Sequence, residues 1–136
     1  MRVVLDSNVF ISGLMIPQSI PGRIIAAWRS GQFDLILSEP MLSEISRVLS
    51  YPKISRRIRW DEEKIARYIS LLRFEADIVN IDGISADVPK DQNDTTILAT
   101  LIASKADCLV SGDDDLLSLS ARHPILSPSE FIAKIL

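Results

Sequence analysis

The sequence predicts an α/β fold in which a parallel sheet carries helices on both faces. Two observations lead to it. Short apolar, β-branched runs alternate with amphipathic stretches along the chain, the pattern of a sheet built from helical crossovers. The stretches between the runs also carry helix-start signals: Ser38 before Glu39-Pro40, Asp61 before Glu62-Glu63, and Ser127-Pro128-Ser129-Glu130.

In chain order, Arg2 to Leu5 reads as a buried strand halted by Asp6. A loop with Gly13, Pro17 and Pro21 follows. Ile24, Ile25, Ala27 and Trp28 then mark a helix that ends near Gly31. Phe33 to Leu37 reads as a second strand. Ser38 caps a helix whose buried face is Met41, Leu42, Ile45, Val48 and Leu49. Asp61 caps the next helix, with the stripe Ile65, Ile69 and Leu72 and with Tyr68 beside it. Ile78, Val79 and Ile81 form a third strand. The polar stretch from Pro89 to Asn93 leads to Asp94 and a helix carrying Ile97, Leu98, Leu101 and Ile102. Asp107 to Ser111 is a fourth strand closed by Gly112, Leu116 and Leu117 begin a short helix, and Pro124 to Leu126 suits a small edge strand. The last helix opens on the Ser127–Glu130 capping box with proline at its first position.

The 136 residues suit a single domain, 1–136, with a real core. Hydrophobic content of 47% and charged content of 24% are ordinary globular values. No apolar run approaches the ~18 residues of a membrane span, and Met1-Arg2-Val3 leads straight into a core strand, leaving no room for a removable signal segment. Cys108 is the single cysteine, so a reducing cytoplasm is expected. A net charge of −3 argues against polyanion binding by the whole surface, though not by a local basic patch.

Four acidic positions sit at the edges of apolar segments: Asp6, Glu44, Asp94 and the run Asp113-Asp114-Asp115. Right-handed crossovers put the carboxyl ends of parallel strands on one edge, and ligands bind there at the topological switch point. Asp6 and Asp113 follow strands. Asp94 shares a helix face with Leu98 and Leu101, and Glu44 borders the buried stripe of its helix. Each residue alone also has a structural reading, as a loop residue, an N-cap or a solvated glutamate. Together they would repel, since like charges ~4 Å apart cost roughly 4 kcal/mol at an effective dielectric of about 20. Protonation or bound divalent cations must relieve that. Oxygen ligands favour Mg²⁺ or Mn²⁺, and one histidine and one cysteine cannot build a zinc site. The substrate class that follows is a phosphodiester, most simply nucleic acid.

Leu5-Asp6-Ser7-Asn8-Val9, Ser38 to Ile45, Asp94 to Ala99 and Ala106 to Leu117 resemble, in order, the motifs of the PIN (PilT N-terminus) domain family. The branch it looks most like is the stand-alone prokaryotic group of toxin components of toxin–antitoxin systems. The resemblance implies a three-layer α/β/α sandwich with a central parallel sheet of four to five strands. It also implies a Mg²⁺- or Mn²⁺-dependent ribonuclease acting on RNA, a homodimer and a cognate antitoxin protein. By the same resemblance the catalytic acids are Asp6, Glu44, Asp94 and Asp113, with Asp115 as a further metal ligand. Asn8 matches a polar position that supports the first aspartate, and Ser7 and Ser111 stand where the family often has threonine. Asp91, one turn before Asp94, is the ligand instead if that helix starts earlier.

Lys53, Arg56, Arg57 and Arg59 form the densest basic run, beside Trp60. They suit phosphates and a stacked base, or simply a solvated surface with Trp60 partly in the core. No Gly-rich phosphate loop or Gly-x-Ser-x-Gly elbow occurs. Two other readings remain open: a metal-dependent phosphatase or DNA nuclease, and a catalytically silent binding module.

Overall fold

Val3, Val4 and Leu5 are completely buried. A strand that is apolar on both faces must lie inside a sheet covered on both sides. The computed structural model describes residues 1–86 and 92–135, with side chains placed for all of these except 92 and 93. The elements are β1 (Arg2–Leu5), α1 (Ser7–Met15), α2 (Ile20–Arg29), β2 (Asp34–Ser38), α3 (Glu39–Leu49), α4 (Pro52–Ile58), α5 (Glu62–Glu75), β3 (Asp77–Val79), α6 (Gln92–Ser104), β4 (Cys108–Val110), α7 (Asp114–Leu117), β5 (Ile125–Leu126) and α8 (Pro128–Ile135). Five strands form one sheet in the order β3-β2-β1-β4-β5. Every pair is parallel, with Val4 opposite Ile36 on one side and Leu109 on the other.

The chain moves outward from β1 to β2 to β3, then returns through α6 to β4 on the far side of β1. Right-handed crossovers therefore put α6 on the opposite face from α1 to α5. The switch point lies between β1 and β4, where Leu5 pairs with Val110. Helix α6 packs across β1, β2 and β3, whereas α2 packs on α1 and α8. Ile97, Leu98, Ala99 and Leu101 of α6 are buried, as are Met41, Leu42, Ile45 and Leu49 of α3. Each large apolar side chain among them contributes about 1.5–3 kcal/mol when fully removed from water. Edge-on aromatic pairs, Phe10 with Trp28 and Phe33 with Phe131, join the layers. Among the described residues no single helix is long and apolar enough to cross a membrane.

Some local expectations give way. The segment after Asp6, read as a loop, is helix α1, because Asp6 accepts a hydrogen bond from the Asn8 N–H and caps it. Gly13, which suggested a turn, lies inside α1 where α2 crosses. A Cβ there would stand 2.5 Å from the Ile25 side chain and 2.9 Å from the Pro21 backbone. Ser38 holds the N-cap position of α3 without a side-chain cap. Its hydroxyl is buried against Thr100 Oγ1 at 2.8 Å. Thr100 gives its own proton to the Thr96 carbonyl, so Ser38 is the donor. Ile81 lies beyond β3, in a turn closed by the Ile84 N–H on its carbonyl. Ile102 is exposed rather than part of the α6 stripe. Asp61 and the Ser127–Glu130 box cap as expected, with the two halves of the box bonded at 3.0 and 3.1 Å.

Candidate functional site

The carboxyl ends of β1 and β4 carry the two best-anchored acids. Asp6 is 2% exposed, and its N–H continues the ladder by donating to the Val110 carbonyl at 3.0 Å. Its two carboxylate oxygens are held differently. Oδ1 accepts from the Asn8 N–H at 3.1 Å, and Oδ2 accepts from the buried Ser111 hydroxyl at 2.7 Å. The Ser111 oxygen in turn accepts from the Asp113 N–H at 3.0 Å. One hydroxyl thus ties the aspartate after β1 to the aspartate after β4. Asn8 supports Asp6 through its backbone, and its side chain is exposed.

Asp113 caps α7 by accepting from the Asp115 N–H at 2.7 Å. Asp94, 3% exposed, sits in the first turn of α6. One oxygen from each of Asp94, Asp113 and Asp115 falls within a group whose members all lie within 4.8 Å of one another. Glu44, half-buried on α3, is reached from α1, where the buried Ser7 hydroxyl donates to its Oε2 at 3.2 Å. It also lines a cleft of about 280 Å³ with Pro40, Ser43 and Arg47. The five acids predicted from the sequence fall in different relations to one another. Asp94, Asp113 and Asp115 cluster directly, Asp6 is tied to Asp113 through Ser111, and Glu44 is bonded to Ser7, the residue after Asp6. Asp91 lies outside the described residues.

The donor set suits a hard divalent cation, with three carboxylate oxygens and neither imidazole nor thiolate in the cluster. Three charges at that spacing repel by roughly 3 kcal/mol per pair at an effective dielectric of about 20, and a cation among them reverses the sign. His123 follows α7, and the Cys108 thiol is buried in β4, where desolvation pushes its pKa up to about 11. Sequence reasoning kept Ser7 and Ser111 only as hydroxyl positions and missed what they bridge. The available signal was a small polar residue at the end of an apolar strand, paired with an acid from a neighbouring strand.

An all-parallel α/β sheet with carboxylates at its switch point defines an acidic-site protein whose cluster is compatible with metal binding. The PIN domain matches residues 2–115, and the chain belongs to that family, whose members are generally nucleases. It is 29% identical over 134 residues to an uncharacterized protein of Methanocaldococcus jannaschii, covering 98% of this chain and 84% of that protein. In fold it is similar to VapBC-1 from nontypeable Haemophilus influenzae, with a TM-score of 0.63, 17% identity and 95% and 99% of the two chains covered. It is also similar to VapBC2 from Rickettsia felis bound to a DNA fragment from their promoter, with a TM-score of 0.62, 14% identity and 93% and 98% coverage.

Proposed function

We propose that this chain is a divalent-metal-dependent endoribonuclease that hydrolyses RNA phosphodiester bonds and serves as the toxin of a toxin–antitoxin pair. The observation that carries the nuclease reading is the carboxylate cluster of Asp94, Asp113 and Asp115, joined to Asp6 through Ser111 at the switch point. Asp6, Asp94, Asp113 and Asp115 would hold Mg²⁺ or Mn²⁺. When bound, the ion supplies positive charge for the phosphodiester and lowers the pKa of a coordinated water. The chain's own part is positioning. Ser111 and the Asn8 N–H hold both oxygens of Asp6 in place, so the carboxylate needs no reorganisation when substrate arrives. Ser7 fixes Glu44, which orients the attacking water from α3.

The toxin role rests on the motif resemblance and on the fold shared with the two VapBC structures. A cognate antitoxin, a homodimer, a cytoplasmic setting and a single unit over 1–136 belong to the same reading. The test is digestion of RNA, single-stranded DNA and a phosphomonoester side by side with Mn²⁺, together with melting curves over a Mn²⁺ titration. RNA alone should be cut. Stability should rise with metal, by about 2.7 kcal/mol when Mn²⁺ reaches ~100 times its Kd. Phosphomonoester turnover without RNA cleavage would make the protein a phosphatase, and no melting shift up to millimolar metal would make it a silent binding module.

A further inference from the structure

The charge of the chain is unevenly spread. Between Lys53 and Arg67 lie six of its 15 basic residues and three of its 18 acidic ones. All six cations are exposed. Among the described residues none of them closes a salt bridge; the two ion pairs present are Arg2–Asp77 and Arg73–Glu39. The three acids, Asp61, Glu62 and Glu63, are gathered at the N-terminus of α5, where the helix dipole favours them. A cationic surface of this kind on an acidic protein suits a polyanion.

Two structural details narrow the partner. Arg59 ends α4 in the left-handed region, with φ 59 and ψ 43, at a position that ordinarily favours glycine or asparagine. The turn leaves Arg59 exposed immediately before Trp60. Next to it, Trp60, Lys64, Arg67, Tyr68 and Leu71 line a cleft of about 260 Å³. Its floor is aromatic, with the Trp60 and Tyr68 rings 5.0 Å apart. The Lys64 ammonium rests over the Trp60 ring, 5.1 Å from its centroid. An aromatic face flanked by cations suits a flat, unstacked base with its phosphates at the rim. A duplex keeps its bases stacked and offers this cleft nothing to take. Helix α4 also packs against α1 and α3, the helices that carry Ser7 and Glu44.

We infer that the α4–α5 surface is an accessory binding site for single-stranded RNA, with Arg56, Arg57, Arg59 and Arg67 holding phosphates and one base seated against Trp60. The entering base displaces the Lys64 ammonium from the ring toward the neighbouring phosphate. The inference rests on the RNA reading above for its choice of polynucleotide.

Its test is binding rather than cleavage. The full chain is titrated with a labelled single-stranded oligoribonucleotide in EDTA, so that no strand is cut, and anisotropy and tryptophan fluorescence are followed. Replacing Arg56, Arg57 and Arg67 by Gln touches neither core nor ion pairs. It should weaken binding about tenfold or more near physiological salt, and should flatten the slope of log K against log salt by roughly 0.7 for each phosphate that is no longer neutralised. Quenching on binding should disappear in Trp60→Phe, with Trp28 as the silent internal control. Unchanged affinity and slope in the triple variant would overturn the inference. So would tighter binding of duplex DNA, or equal binding of polyglutamate, which would mark a docking face for an acidic protein. RNA bound here but never cut with Mn²⁺ would sink the nuclease proposal and leave this one standing. RNA cut by a protein whose triple variant binds normally would do the reverse.

Discussion

Helix α3 carries two glutamates with different surroundings. Glu39, in its first turn, is exposed and meets the Arg73 guanidinium through two hydrogen bonds of 3.0 Å. Those bonds and the arginine charge hold its carboxyl below the usual range. Glu44, further along the same helix, is half-buried and accepts from the Ser7 hydroxyl. The contrast extends to Asp6 and Asp113, which are positioned by a hydroxyl and by peptide N–H groups. A guanidinium neutralises a carboxylate as well as fixing it, so Glu39 fastens α3 to α5. A hydroxyl or peptide N–H fixes the geometry and leaves the negative charge to meet a cation. Glu39 is thus a structural acid, while the hydroxyl of Ser7 holds Glu44 and the hydroxyl of Ser111 holds Asp6 in position.

The hardest test of that distinction is Asp6→Asn, which keeps the shape but removes the charge. Mn²⁺-dependent RNA cleavage should fall by about 10³-fold, the upper range for loss of one preorganised electrostatic group. The amide has a single acceptor oxygen for the Asn8 N–H and the Ser111 hydroxyl, so the melting curve serves as the control that the variant is folded. Cleavage close to wild type would end the proposed role of Asp6.

Ser111→Ala should come next, lowering activity by about 10–100-fold, as supporting shells around metal ligands do. Ser111→Thr, which restores the hydroxyl, should recover most of it. If alanine and threonine behave alike, the bridge between Asp6 and Asp113 has no part in positioning.

Glu39→Gln provides the contrast. The ion pair with Arg73 is exposed, so its loss should cost under about 1 kcal/mol and leave cleavage untouched. The lowered pKa fixes the sign: this small contribution is present above the ordinary glutamate pKa and fades as pH falls through the lower, folded value. A larger activity loss than in Ser111→Ala would invert the assignment of the two acid types.

The smallest effect near neutral pH concerns Cys108 and Tyr68, which titrate only in alkali. Desolvation raises Cys108 from 9.0 to about 11 and Tyr68 from 10.0 to about 12. Between pH 9.0 and about 12 the unfolded chain then binds fewer protons than the folded one, so stability should decline as pH rises through that window. The buried Tyr68 hydroxyl has no hydrogen-bond partner among the described residues. Tyr68→Phe should therefore melt no lower than wild type near neutral pH and should lose less stability in alkali. A clear loss near neutrality would show that the hydroxyl is satisfied in solution.

Apolar patterning was enough to read strands β1, β2 and β4 and the stripes of α3 and α5, because their periodicity is local. That the sheet is parallel followed from alternation and crossover handedness, whereas the strand order that puts the switch point between β1 and β4 did not. Helix α1 was hidden because Gly13 reads as a turn signal, and its compatibility with a helix depends on how closely α2 crosses. The acids themselves were legible, since each stands at the edge of an apolar segment. Their bridges were not. Ser111 meets Asp6 across 105 positions and Ser7 meets Glu44 across 37, and no local pattern marks which hydroxyl faces which carboxylate.

Residue order alone, then, determined which side chains could be buried, which segments alternate and which carboxylates stand at strand ends, since those properties depend on neighbours a few positions away. Only the folded chain decided which acid receives a guanidinium and which receives a hydroxyl, because that pairing depends on the crossing of α1 over α3 and the abutment of β1 on β4. Hydrogen bonds act over about 3 Å in space, whatever the distance along the chain.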